Sequence, residues 1–122
     1  MGYSVVNADE VELSGRTGQV RFVRRVLGVE AFGINMFELP PNATGHEHDE
    51  AESGQEEVSF VVRGSGTWFV SSDDGKEEVP VREGTFIRFD PDTVRVPLAG
   101  PDGLTFVSIG AKPGCYVARG PF

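Results

Sequence analysis

Apolar and polar residues alternate along this chain in short runs separated by glycine, proline and aspartate, a period-two pattern that predicts strands. Ala31 to Leu39 is one such run, with Phe32, Ile34 and Met36 on one side and Phe37 and Leu39 on the other, ended by Pro40, Pro41 and Asn42. Glu57 to Arg63 and Thr67 to Ser71 form two more, with a turn predicted at Gly64-Ser65-Gly66. Ser72-Asp73-Asp74-Gly75 carries an Asp-Gly hairpin signal and leads into a strand from Glu77 to Val81. Gly84 opens the strand Thr85 to Phe89, Asp90-Pro91-Asp92 turns, and strands follow at Val94 to Leu98 and Leu104 to Gly110.

The start of the chain reads differently. Residues 1 to 19 are a polar, glycine-containing lead-in, with a short strand expected at Tyr3 to Val6 and no visible site. From Gln19 to Leu27, Phe22, Val23, Val26 and Leu27 fall on one helical face and Arg21, Arg24 and Arg25 on the other. With Gly28 as C-terminal cap this predicts one short helix. A strand is the alternative, since Val20, Phe22 and Val26 share a parity.

Composition narrows the class. In 122 residues there are 16 glycines, 8 prolines and 9 phenylalanines, which with short strands points to a single all-β sandwich or barrel. The 19 acids against 11 bases, net charge -8, argue against a nucleic-acid partner, which would need a basic stripe, and against an anionic membrane surface. The lone Cys115 cannot form an internal disulfide, and with no histidine left to activate it, it reads as an inert thiol. The N-terminus lacks the basic and apolar regions of a signal peptide, Val6 breaks the myristoylation pattern, and no apolar run approaches the ~20 residues of a membrane span. A cytoplasmic location is expected.

The candidate chemistry lies between Gly45 and Gly64. His46 and His48 are the only histidines and stand two apart, so on an extended segment both imidazoles approach one point. Two imidazoles and a carboxylate make a three-ligand metal face with open positions. The plain alternative is a pair of surface histidines in an acidic loop.

His-x-His, then Glu57, six residues and Gly64 resembles the first signature of the cupin family. The resemblance covers about residues 31 to 110 and implies a jelly-roll β-barrel, the double-stranded β-helix, flanked by a lead-in over 1 to 30 and a tail over 111 to 122. It implies that His46, His48 and Glu57 point inward and, in metal-binding members, share a divalent cation with a third histidine. The chain departs from the pattern in several places. Pro40 stands where a glycine is expected, and eight residues separate His48 from Glu57 where the family has three or four. Glu52 has the right histidine spacing, but Ser59 then stands where glycine is needed, so Glu57 is the expected ligand and residues 49 to 56 a lengthened acidic loop. In the second signature, counted from Gly84, the third histidine is replaced by Arg95, the second glycine by Asp92 and the asparagine by Ala99, with Pro91 one place late.

Two readings follow. In the first, a divalent ion (iron, manganese, zinc or nickel) sits on His46, His48 and Glu57, and Arg95 anchors a small anionic metabolite, as in a metal-dependent enzyme whose reaction the sequence does not name. In the second there is no metal, and Arg95 pairs with Glu57 in a non-catalytic ligand-binding barrel. A divalent ion ~6 Å from a bare guanidinium costs about 5 kcal/mol at an effective dielectric constant near 20, so an anion between them, a displaced Arg95 or an absent metal is required. A solvent-facing Arg95 is a third option. Counting by two from Glu57 puts Ser59 and Val61 inside and Phe60 and Val62 outside. Phe37, Trp68, Phe86 and Phe106 are aromatic candidates for the cavity, and the expected substrate contacts are Arg95, Ser59, Phe86 and Trp68. Small cupins resemble one another in pairing through β-strands, so a homodimer is expected, with the tail Lys112 to Phe122 available for the contact.

Overall fold

The computed structural model describes residues 2–122. Its strands are β1 (Leu13–Ser14), β2 (Val20–Arg21), β3 (Gly33–Leu39), β4 (Glu56–Ser72), β5 (Gly75–Arg82), β6 (Phe86–Phe89) and β7 (Val94–Ala111), with one short helix α1 (Val23–Leu27) before β3. All pairings are antiparallel.

Two strands do most of the building. β4 and β7 pair along nearly their whole lengths, from Glu56 opposite Ala111 to Ser71 opposite Val94. The sequence reads each as two strands divided by a turn, yet neither ladder is fully broken. Both chains bend at the same level, where the register shifts between Val61 and Arg63 and again between Gly64 and Gly66. The first shift leaves Val62 of β4 as one extra residue, which kinks the strand without ending the pairing, and the second sets Gly100 to Gly103 of β7 against Ser65 alone.

Folding this ladder over makes two layers. The first halves of β4 and the second half of β7 lie in a layer with β3, β2 and β1 on one side and β6 on the other. Beyond the bend, β4 pairs with β5 on one edge and with the first half of β7 on the other, and the segment from Thr44 to His48 joins β7's free edge through bridges at Leu98 and Arg95. That arrangement is a jelly roll. Among the described residues, no helix is long and apolar enough to cross a membrane.

The bend explains the glycine that closes the sequence motif. Gly64 has φ of +83°, and a Cβ there would lie 2.1 Å from the carbonyl oxygen of Gly103, itself at φ +83°. The two backbones touch where the sandwich turns.

Between the layers lies the core of Leu39, Val61, Trp68, Val81, Phe89, Ala99, Leu104 and Phe106. Phe37 stacks on Phe106 at 5.0 Å between centroids, and Trp68 meets Phe106 edge-on at 4.7 Å. Such pairs contribute about 0.5–1.5 kcal/mol beyond burial.

Two local expectations are corrected and two hold. Tyr3 to Val6 forms no strand; a single 3-10 turn at Ala8–Glu10 follows instead, its carboxylate at Glu10 accepting from the Asn7 backbone N–H at 2.8 Å. The helix is shorter than its pattern, because Val20 and Arg21 are drawn into β2, where they face Phe37 and Met36 of β3. Gly28 caps it at φ +77° as expected. The hairpin at Asp73-Asp74 forms as read, with Ser72 opposite Gly75.

Gly64→Ala should destabilise the fold by about 3 kcal/mol or more, since a left-handed backbone and a backbone clash coincide at one atom. Urea unfolding of the variant measures it; a loss below about 1 kcal/mol would contradict the close approach of β4 to β7.

Candidate metal centre

The inner faces of the two layers enclose a cavity of about 450 Å³, open at the end where β4 begins. This is within the usual size of small-molecule sites. His46, His48, Glu57, Ser59, Trp68 and Arg95 all line it. Six of the seven residues expected at the site thus share one space.

Phe86 does not. It is 71% exposed on the outer face, against Phe60 at 4.4 Å between centroids. On a strand only one of Phe86 and Phe89 can face inward, because they differ in parity. Arg88 shares the parity of Phe86 and ion-pairs on the surface with Glu56 and Asp90, which marks that face as the solvated one. The hydrogen bond and charge of Asp90, then those of Glu56, raise the Arg88 pKa above its ordinary value. Phe89 is the inward aromatic.

Arg95 is the most unusual residue in the cavity, being 1% exposed. Its Nη2 donates to Glu57 Oε1 at 2.9 Å and its Nη1 to the carbonyl of Thr93 at 3.0 Å. The guanidinium lies over the ring of Phe89, 4.8 Å from its centroid. A buried cation is tolerable only with such a partner set. Nε, also buried, has no partner among the described residues. A solvent-facing Arg95 is therefore ruled out.

The backbone ties this cation to the histidine arm. His48 N–H donates to the Arg95 carbonyl at 3.1 Å, and Arg95 N–H to the His48 carbonyl at 2.9 Å. Paired residues share a face, so the imidazole of His48 and the guanidinium of Arg95 enter the cavity side by side.

The potential ligand set differs from the expected one. His48, Glu50 and Glu57 each offer one donor atom, and these lie within 4.8 Å of one another. His46 is exposed, lines the rim and stacks on His48 at 5.7 Å between centroids, but stands outside that group. His48 Nδ1 lies 3.3 Å from the carbonyl of His46, and donation there leaves the Nε2 lone pair free on the side of Glu50 Oε2, 3.4 Å away.

Glu50 is the residue that sequence reasoning missed, and it is firmly placed. Its N–H donates to the Pro91 carbonyl at 2.8 Å, its own carbonyl accepts from Gly54 at 2.7 Å, and the Ser53 hydroxyl donates to its Oε1 at 2.7 Å. The signal was available, because His46, His48 and Glu50 continue one period-two series. The lead-in also contributes, since Arg16 and Thr17, in the loop between β1 and β2, line the cavity.

No family model and no curated protein matches the chain. Solved structures do. A cupin protein from Bacteroides fragilis superposes with a TM-score of 0.71 at 22% identity, over 98% of this chain and 92% of that one. The chain has the cupin fold. A predicted oxalate decarboxylase from Thermotoga maritima, another cupin-fold match, gives a TM-score of 0.67 at 18% identity, over 89% of this chain and 99% of that one. Bacillus subtilis oxalate decarboxylase, studied for its Mn(II) centres, gives 0.64 at 19% identity over 78% of this chain. This chain spans only 25% of that protein's length.

Arg95→Met should cost about 3 kcal/mol in stability, because it leaves the Glu57 carboxylate without its buried partner. Pairing it with Glu57→Gln should recover most of the loss. Chemical denaturation of the two single variants and the double variant reads the coupling, and strictly additive losses would refute it.

Proposed function

We propose that this cupin-fold protein binds a divalent metal ion through His48, Glu50 and Glu57, and a small carboxylate next to it against Arg95. The observation that carries this reading is the convergence of three donor atoms within 4.8 Å at the mouth of the cavity, beside a buried cation.

Charge decides what completes the site. Glu50 and Glu57 as carboxylates with Arg95 leave one net negative charge at the mouth. A divalent ion reverses it to one net positive charge, which a single carboxylate neutralises. The second carboxylate, unknown from the sequence, thus lessens the repulsion between metal and guanidinium. One imidazole with two carboxylates favours an oxygen-preferring ion such as manganese or iron over zinc. An ion held there supplies Lewis-acid polarisation of a bound oxygen. Arg95 keeps Glu57 oriented through Oε1, leaving its other oxygen for the ion, while Ser53 holds Glu50 in the same way. Trp68, Phe106 and Phe37 exclude water from the inner end of the cavity.

The second reading is supported by the 2.9 Å bond from Arg95 to Glu57, which fills one of Glu57's oxygens without any metal. In that case the barrel holds a small ligand and performs no metal chemistry.

Metal analysis of untagged protein, prepared without chelator and dialysed against manganese, iron, zinc or nickel, separates the two. About one equivalent of metal is expected in the wild type, lost in His48→Ala and in Glu50→Gln and retained in His46→Ala. No uptake of any of the four ions by the wild type would establish the metal-free reading instead.

A further inference from the structure

The inner wall of the β3, β7 and β4 layer changes polarity row by row. Directly opposed residues of an antiparallel sheet share a face, so the register reads as rows across the cavity. At the mouth Glu57 opposes Gly110, which opposes Gly33. Two residues further in, Ser59 opposes Ser108 and Ser108 opposes Asn35. Deeper again, Val61, Phe106 and Phe37 make an apolar row. A polar row thus lies between a charged mouth and an apolar floor.

Its hydrogen bonding is incomplete. The hydroxyls of Ser59 and Ser108, both buried, lie 2.7 Å apart. Two hydroxyls carry two protons, and their mutual bond uses one, so one donor remains. Asn35 lines the same cavity, and its Oδ1 is buried with no partner among the described residues. A buried polar group left unpaired costs about 1–3 kcal/mol. No packing argument calls for three polar side chains in line here, when the next row inward is wholly apolar.

We propose that the row of Asn35, Ser108 and Ser59 determines specificity by holding a hydroxyl group of the ligand, and that the ligand is a small aliphatic hydroxy acid. A hydroxyl accepts the free serine proton and donates to Asn35 at once. A carbonyl only accepts, an ammonium only donates, and a methyl does neither. The step from Glu57 to Ser59 is two strand residues, about 6.7 Å, which a linear five-carbon acid with a terminal hydroxyl spans. The inference rests on the reading that the mouth takes the ligand's carboxylate; the row supplies the second group.

Calorimetric titration of the metal-loaded protein with pentanoate, hexanoate and 5-hydroxypentanoate tests it. Hexanoate puts a methyl group where the hydroxy acid has its hydroxyl. 5-Hydroxypentanoate should bind about tenfold more tightly than hexanoate, and that advantage should vanish in Ser59→Ala/Ser108→Ala. Asn35→Leu, made separately, should also abolish it, and circular dichroism confirms that each variant is folded. If pentanoate binds but the hydroxy acid gains nothing over hexanoate, the row is not a hydroxyl site and the carboxylate site stands. If none of the three acids binds, the carboxylate reading falls and this inference falls with it.

Discussion

The pairing of β4 with β7 is the constraint on which everything else in this molecule depends. It is the ladder that belongs to both layers, and its shared bend turns a long ribbon into a sandwich with an inside. Glu57 lies before the bend on β4, while Arg95 faces Val70 beyond it. Acid and cation therefore sit on the same two strands yet meet across the cavity. Their separation is set by where the ribbon folds, and Gly64 against Gly103 sets that place.

Given that geometry, the mouth has a particular electrostatic character. A buried guanidinium needs partners for its charge and its protons, and Arg95 finds a carboxylate, a carbonyl and an aromatic face. The same carboxylate belongs to the group of possible metal donors. Cation and donors are thus one network, in which Glu57 is the shared member. The histidine arm enters this network through its backbone as well as its ring, since the segment from Thr44 to His48 is tied to β7 by bridges at Leu98 and Arg95.

Much of this was legible in the sequence. The period-two runs locate the strands, the motif ending in Gly64 points to the barrel, and counting by two from Glu57 assigns Ser59 and Val61 to the interior. What could not be read is what depends on pairing across distance. No local signal says that Gly64-Ser65-Gly66 bends a strand instead of ending it, because the partner that carries it through lies at Ala99 and Leu104. Val20 and Arg21 carry a helical pattern, but the edge of β3 captures them. The expected trio and the donor group of the structure share His48 and Glu57 and differ in their third member for a smaller reason. The parity that joins His46 to His48 also reaches Glu50, and only the turn at Ala51 to Gly54 brings that carboxylate inward while His46 stays at the rim.

Phe89 has a place in both halves of the molecule. Its ring packs in the apolar core beside Trp68, 6.0 Å between centroids, and its other aspect carries the guanidinium of Arg95. The interior and the charged mouth therefore have a common wall one ring thick. Chemistry at the mouth is not free to be redesigned by exchanging its polar residues alone, since any new occupant of Arg95's place must also seal the core from above. The packing of the core and the charge of the mouth thus meet at a single side chain, and a change at Phe89 reaches both.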